Sequence, residues 1–237
     1  MATFVLIHGA MHGGWCWRDV EPLLREAGHR TYAPTLTGQG DRADELTPQV
    51  GVSTHVDDVI DVVEAHGLTD IVLVLHSYAG VLAGPLADRL RDRLRTVVAA
   101  GAFLVEPGEC LLDVEPPAVA ARYRELADAG EGWRIPTSTA FLDQWAVTDP
   151  DLREFIGTRL TDFPLRCATD RVVFDPKPLA ALPRVYLEHT DPPLASLAQS
   201  IDRAAAAGWV HRTIATGHDL MLTDPEGTAA VLRDIAE

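Results

Sequence analysis

Apolar residues in this chain fall into short unbroken runs, separated by longer stretches in which they recur at helical spacing. Residues 4–7, 31–36, 71–75, 96–104, 185–189 and 210–215 read as strands. Runs that are apolar at successive positions suit strands covered on both faces. Residues 15–27, 52–66, 81–94, 196–207 and 226–235 read as helices. In 52–66 the spaced positions are Val56, Val59, Ile60 and Val63, and the pattern stops at Gly67. Residues 37–51 are polar and rich in Gly and Asp, as in a loop. Strands alternating with helices predict an α/β fold, a mainly parallel sheet flanked by helices.

Between residues 106 and 183 this rhythm breaks. Prolines stand at 107, 116, 117, 136, 150 and 164, around helical pieces at 119–129 and 151–160. A structureless loop of that length is improbable in a compact domain. An inserted helical cap is the expectation, dividing the chain into a core of 1–105 and 184–237 and a cap of 106–183. Trp133, Phe141 and Trp145 lie in this segment. They either line a substrate pocket or form the cap's own core.

Composition narrows the classes. The 237 residues are 47% hydrophobic and 23% charged, ample for one large α/β domain. A net charge of −15 argues against nucleic acid and anionic membrane surfaces, whose phosphates it repels. Cys16, Cys110 and Cys167 are odd in number and have no metal or redox spacing, so free thiols in a reducing compartment are expected. No leader pattern is visible, and the longest apolar run, 97–105, is too short to span a bilayer. A cytoplasmic protein is the expectation.

The chemistry centres on Leu75-His-Ser77-Tyr-Ala79-Gly80, where a strand meets a helix through one serine. This is the context of a nucleophile elbow, which lifts the serine hydroxyl above the sheet. A serine that merely caps a helix fits the same residues. The usual pattern has small residues two before and two after the serine; here they are Leu75 and Ala79. A serine nucleophile needs a base, an orienting acid and oxyanion donors. His218, on the turn after the last apolar run, is the expected base. Asp191, in a Pro-rich turn after the preceding run, is the expected acid, with Glu188 and then Glu106 behind it. The N–H groups of Tyr78 and of Ala10, in the Gly-rich loop His8–Trp15, are the expected oxyanion donors. That loop lacks a following Gly-Lys-Ser/Thr and a G-x-G-x-x-G pattern, so it is neither a P-loop nor a dinucleotide site. His12 either faces the site or caps the loop.

The segments FVLIHGAMHGGWCW at 4–17, LHSYAG at 75–80 and GHDLML at 217–222 resemble the α/β-hydrolase superfamily. More narrowly they resemble its methylesterase and hydroxynitrile lyase branch. The resemblance implies a Ser77–Asp191–His218 triad, oxyanion donors at Ala10 and Tyr78, and a helical cap over an apolar pocket. It implies no metal and no organic cofactor, a small ester as substrate, and pairing into a homodimer as many members do. The lyases of this branch carry threonine and lysine where this chain has Gly9 and Asp219, which favours ester cleavage. A ligand-binding protein with little turnover, or a lyase, lactone or thioester enzyme on the same scaffold, is the competing expectation.

Overall fold

In the computed structural model, which describes Met1–Glu237, the chain first runs through β1 (Thr3–Ile7), α1 (Val20–Glu26), β2 (Arg30–Tyr32) and α2 (Val52–Ala65). It continues through β3 (Ile71–His76), α3 (Ala83–Leu90) and β4 (Leu94–Ala100). After a long excursion it returns through β7 (Arg184–His189), α10 (Ala198–Ala206), β8 (Val210–Ile214), α11 (Leu220–Thr223) and α12 (Pro225–Ala236). The excursion holds α4 (Leu111–Val114), α5 (Pro117–Ala129), β5 (Arg134–Ile135), α6 (Ala140–Gln144), α7 (Pro150–Gly157), β6 (Phe163–Pro164), α8 (Leu165–Thr169) and α9 (Pro176–Ala181).

Six strands form one sheet in the order β2-β1-β3-β4-β7-β8, and every neighbouring pair is parallel. β1 and β3 are buried at every position, as unbroken apolar runs between two helical layers should be. α1 packs with α12, and α2 with α3. β8 is one of the two edge strands, and four of its five residues are exposed.

The strand order decides where chemistry gathers. The chain moves outward from β1 to β2, then returns to β3 on the other side of β1. Loops leaving β1 and β3 therefore diverge at a switch point, where open α/β sheets bind ligands. Ile7 pairs with Leu75, so the His8 loop and the Ser77 turn emerge side by side. His189 pairs with Ile214, which brings the ends of β7 and β8 to the same edge of the sheet.

Local details depart from the pattern for visible reasons. The run at 31–36 keeps its ladder only to Tyr32, since Pro34 offers no donor. The helix expected at 15–27 opens as a separate 3-10 turn at Gly14–Trp17 and resumes at Val20. A Cβ at Gly14 would overlap the Ala33 carbonyl, so this turn is pressed against the strand exit. The run at 96–104 stops as a strand at Ala100, where Gly101 turns the chain with φ +51°. The segment between β4 and β7 shares the main core: Leu111, Ile135, Val147, Ile156 and Phe163 join one continuous apolar cluster with the sheet residues.

Candidate active site

β3 ends at His76, and the chain reverses within one residue. Ser77 has φ +54°, a left-handed conformation that costs a non-glycine residue about 1–3 kcal/mol. The surroundings enforce it. The Ser77 carbonyl accepts the Phe103 N–H at 3.0 Å. Gly80 lies so close to the Phe103 carbonyl that a Cβ there would overlap it. The buried Tyr78 hydroxyl is 3.0 Å from His55 Nδ1. Leu75 lies in the sheet between Ile7 and the small Ala99, so its bulk fills the core and stays out of the turn.

The loop after β1 closes on this turn. A Cβ on Gly9 would stand 2.8 Å from Ser77 Cβ and 2.9 Å from His76 Nδ1, so only glycine permits the approach. Ala10 N–H has no hydrogen-bond partner within the chain. Tyr78 N–H lies at the start of the helical turn Ser77–Leu82, where no intrahelical acceptor exists. Met11, with φ +67°, is held from both sides: its N–H donates to Gln39 Oε1 at 2.7 Å, and its carbonyl accepts the Thr161 N–H at 3.0 Å. His8 Nδ1–H donates to the Gly9 carbonyl (2.8 Å) and its Nε2 accepts the Leu36 N–H (3.0 Å). That is a neutral imidazole, and burial pushes its pKa down to about 3.

His218 reaches the serine from the turn after β8. Its Nε2 lies 2.9 Å from Ser77 Oγ. Its backbone is pinned twice: the N–H donates to the Trp145 carbonyl at 3.1 Å, and the carbonyl accepts His76 Nε2–H at 3.0 Å. Burial holds the imidazole well below its usual pKa, and His76, His189 and His12 push the same way. A neutral imidazole with its Nε2 lone pair facing the hydroxyl is the form that can take the Ser77 proton.

No carboxylate completes this pair, which corrects the expectation for Asp191. The Asp191 side chain is exposed, its N–H is bonded to the Thr216 carbonyl at 3.1 Å, and His218 Nδ1 has no hydrogen-bond partner. Strand geometry accounts for the difference. Successive side chains of β7 point to opposite faces, so Glu188 turns to the edge strand and pairs with His211 Nε2 at 2.7 Å. His189 turns inward instead, and its ring meets that of His218 at 4.9 Å between centroids. Burial pushes the His189 pKa down to about 4. Asp191 comes after the ladder has ended, and Glu106 is exposed. The carboxylate that is buried here belongs to Asp219, whose Oδ2 is 3.4 Å from His12 Nε2.

The expected pocket residues divide. Trp145 packs on His12 at 5.0 Å between centroids, and Phe141 stacks behind it at 5.6 Å. Trp133 sits before β5 with the Arg134 guanidinium 5.4 Å from its ring and joins none of these stacks. Although several histidines converge here, no group of three or more His, Cys, Asp or Glu is arranged to hold a metal ion. His76, His189 and Gln39 were not expected at the site. His76 could have been suspected from its place beside Ser77; nothing in the sequence marks the other two.

A strained serine turn after a central parallel strand, faced by a histidine from the last strand and a Gly-rich loop from the first, is a hydrolase arrangement. Residues 4–231 match the profile of the alpha/beta hydrolase family. The chain belongs to this family. It is 34% identical over 244 residues to a carbendazim hydrolyzing esterase from Nocardioides sp. (strain SG-4G), covering 98% of both chains. It is 30% identical over 139 residues to methyl jasmonate esterase 1 from Vitis vinifera, which is 58% of this chain and 50% of that one. Among solved structures, an extracellular alpha/beta-hydrolase from a Paenibacillus species superposes with a TM-score of 0.87 at 22% identity, covering 99% of this chain and 98% of that one. This α/β-hydrolase has no helix long and apolar enough to cross a membrane.

Proposed function

We propose that the protein is a serine esterase cleaving a small, largely apolar carboxylic ester through an acyl-enzyme. The observation that carries this reading is the 2.9 Å approach of His218 Nε2 to Ser77 Oγ at a strained turn. Ser77 Oγ attacks the ester carbonyl while His218 takes its proton. The Ala10 and Tyr78 N–H groups receive the oxyanion, His218 returns the proton to the departing alcohol, and water releases the acid by the reverse steps. The relatives named as esterases support the reaction class. Trp145 and Phe141 support an apolar substrate. Gly9 and Asp219 weigh against cyanohydrin cleavage, because glycine brings no hydroxyl and position 219 supplies no cation to receive departing cyanide. The proposal includes residues 106–183 as the part that sets substrate choice, a cytoplasmic location and a homodimer.

The test is turnover of p-nitrophenyl esters, methyl esters and carbendazim, with phosphonate labelling read by mass spectrometry. Label on Ser77, and loss of both label and turnover in Ser77→Ala, is the expected result. Label on another residue overturns the assignment, as does cyanide release from mandelonitrile that rivals ester cleavage. The unpartnered Nδ1 of His218 favours one second reading, a ligand-binding protein with slow turnover. No turnover across the panel, together with a small molecule retained through purification, would select it.

A further inference from the structure

His12 lies in the loop after β1, and the ester-cleavage steps do not use it. Its ring is buried, 1% exposed. Nδ1 is hydrogen-bonded to the Ala10 carbonyl at 2.9 Å, and Nε2 lies 3.4 Å from Asp219 Oδ2, at ion-pair distance but without hydrogen-bond geometry. A neutral imidazole carries one N–H, which the Ala10 carbonyl takes, so an ion pair with the buried Asp219 carboxylate requires the imidazolium. Two indoles pack against the ring. Trp15 stacks at 5.3 Å and 27°, and Trp145 lies at 5.0 Å and 49°. Indole faces within about 6 Å attract a cation, so the enclosure suits a charged ring.

Three of these partners come from separate parts of the chain. Ala10 belongs to the loop after β1, and its own N–H is the proposed oxyanion donor. Asp219 follows His218 directly. Trp145 follows α6, and its carbonyl accepts the His218 N–H. We infer that His12 is a positioning residue: a buried imidazolium that ties the Ala10 peptide to the His218 turn and to the segment between β4 and β7. This rests on the esterase reading for its kinetic consequence only; the charge and its contacts do not depend on it.

The charged state follows from the balance of neighbours. Burial disfavours it, but Asp219 and the Ala10 carbonyl outweigh burial and raise the His12 pKa above its ordinary value. The other titratable groups around the pair are His76, whose ring is 6.4 Å away edge-on, His218, His189 from β7, and His8 just after β1. Cys16 faces Asp219. These four histidines have lowered pKa values and stay neutral near pH 7. A base with a raised folded-state pKa contributes stability that is full below its unfolded value and is lost as pH rises through the folded value. The strut therefore weakens on the alkaline side.

The direct test is an NMR titration of the intact protein labelled with 15N-histidine, His12 being assigned by the signal missing in His12→Gln. The His12 signal should titrate at higher pH than free histidine, with both nitrogens protonated on the acid side of that midpoint. In Asp219→Asn it should titrate at lower pH. The kinetic arm compares His12→Gln, Asp219→Asn and the double variant. Each single change should lower kcat on the order of 10²-fold, no more than losing an oxyanion donor, with KM within about 3-fold. The double variant should be no worse than the poorer single one, because partners in one interaction are not additive. A His12 that titrates at or below the pH of free histidine overturns the inference even if His12→Gln fails to fold, because wild-type protein reports it. Folded variants with unchanged kcat, or additive losses, also overturn it. Absence of ester turnover in the wild type would instead remove the esterase reading and leave the NMR arm standing.

Discussion

β3 and β7 both end at the edge of the sheet where the site lies, yet they deliver their following residues very differently. Beyond β3 the chain enters a buried turn in which Ser77 is strained, its carbonyl is bonded to Phe103, and Gly80 and Gly9 permit contact on both sides. Beyond β7 the chain runs into solvent, and Asp191 keeps one backbone bond and an exposed carboxylate. A strand end fixes the direction of a side chain only as far as the ladder and the packing continue. His189, the last residue in the ladder, is therefore placed against His218, and Asp191, two residues later, is not.

The largest expected effect breaks the β3 side. Ser77→Ala should lower kcat by about 10³- to 10⁶-fold with the fold intact, measured by steady-state hydrolysis and circular dichroism. A loss below about 10-fold would remove Ser77 from the centre. Gly9→Thr attacks the same turn from the opposite loop. Its Cβ would press on Ser77 Cβ at 2.8 Å, so a fall in kcat of at least about 10²-fold is expected, the scale of one lost oxyanion donor. Near-normal turnover would mean that the two loops are not in contact.

The next effect concerns pH. Burial pushes His55 and His76 down to about 4 and His8 to about 3. Unfolded chains protonate these groups near 6.5 while the folded protein does not, so stability falls as pH drops from 6.5 toward 4. Each contributes on the order of 3 kcal/mol at full effect. Urea midpoints should decline steeply across that window. Hydrolysis should show no acid limb near 6.5, because His218 is also held well below that value. A rate profile centred on 6.5 would mean that a carboxylate supports His218 after all.

The smallest effects lie on the β7 side. Asp191→Asn should change kcat by less than about 3-fold, as for a surface substitution. A loss near 10⁴-fold, the scale for a triad aspartate, would reverse the contrast between the two strand ends. Glu188→Gln should be nearly silent in turnover, because that carboxylate serves His211 on the edge strand.

Much of this was legible in the sequence. Unbroken apolar runs separated by helical spacing specify a parallel sheet flanked by helices, because each run must be covered on both faces. The serine at a strand-to-helix junction and the histidine after the last run stand out because sharp turns at strand ends require particular residues there. What the sequence left open is governed by where structure stops being regular. Asp191 and His189 are two residues apart, and only the extent of the β7–β8 ladder decided which one faces His218. Trp133 and Trp145 looked alike within one proline-broken segment, and only the folding of that segment onto the sheet brought Trp145 to His12. The pairing of His12 with Asp219 joins residues far apart in the chain. No local spacing encodes it, since the parallel order of the sheet alone brings the loops after β1 and β8 together.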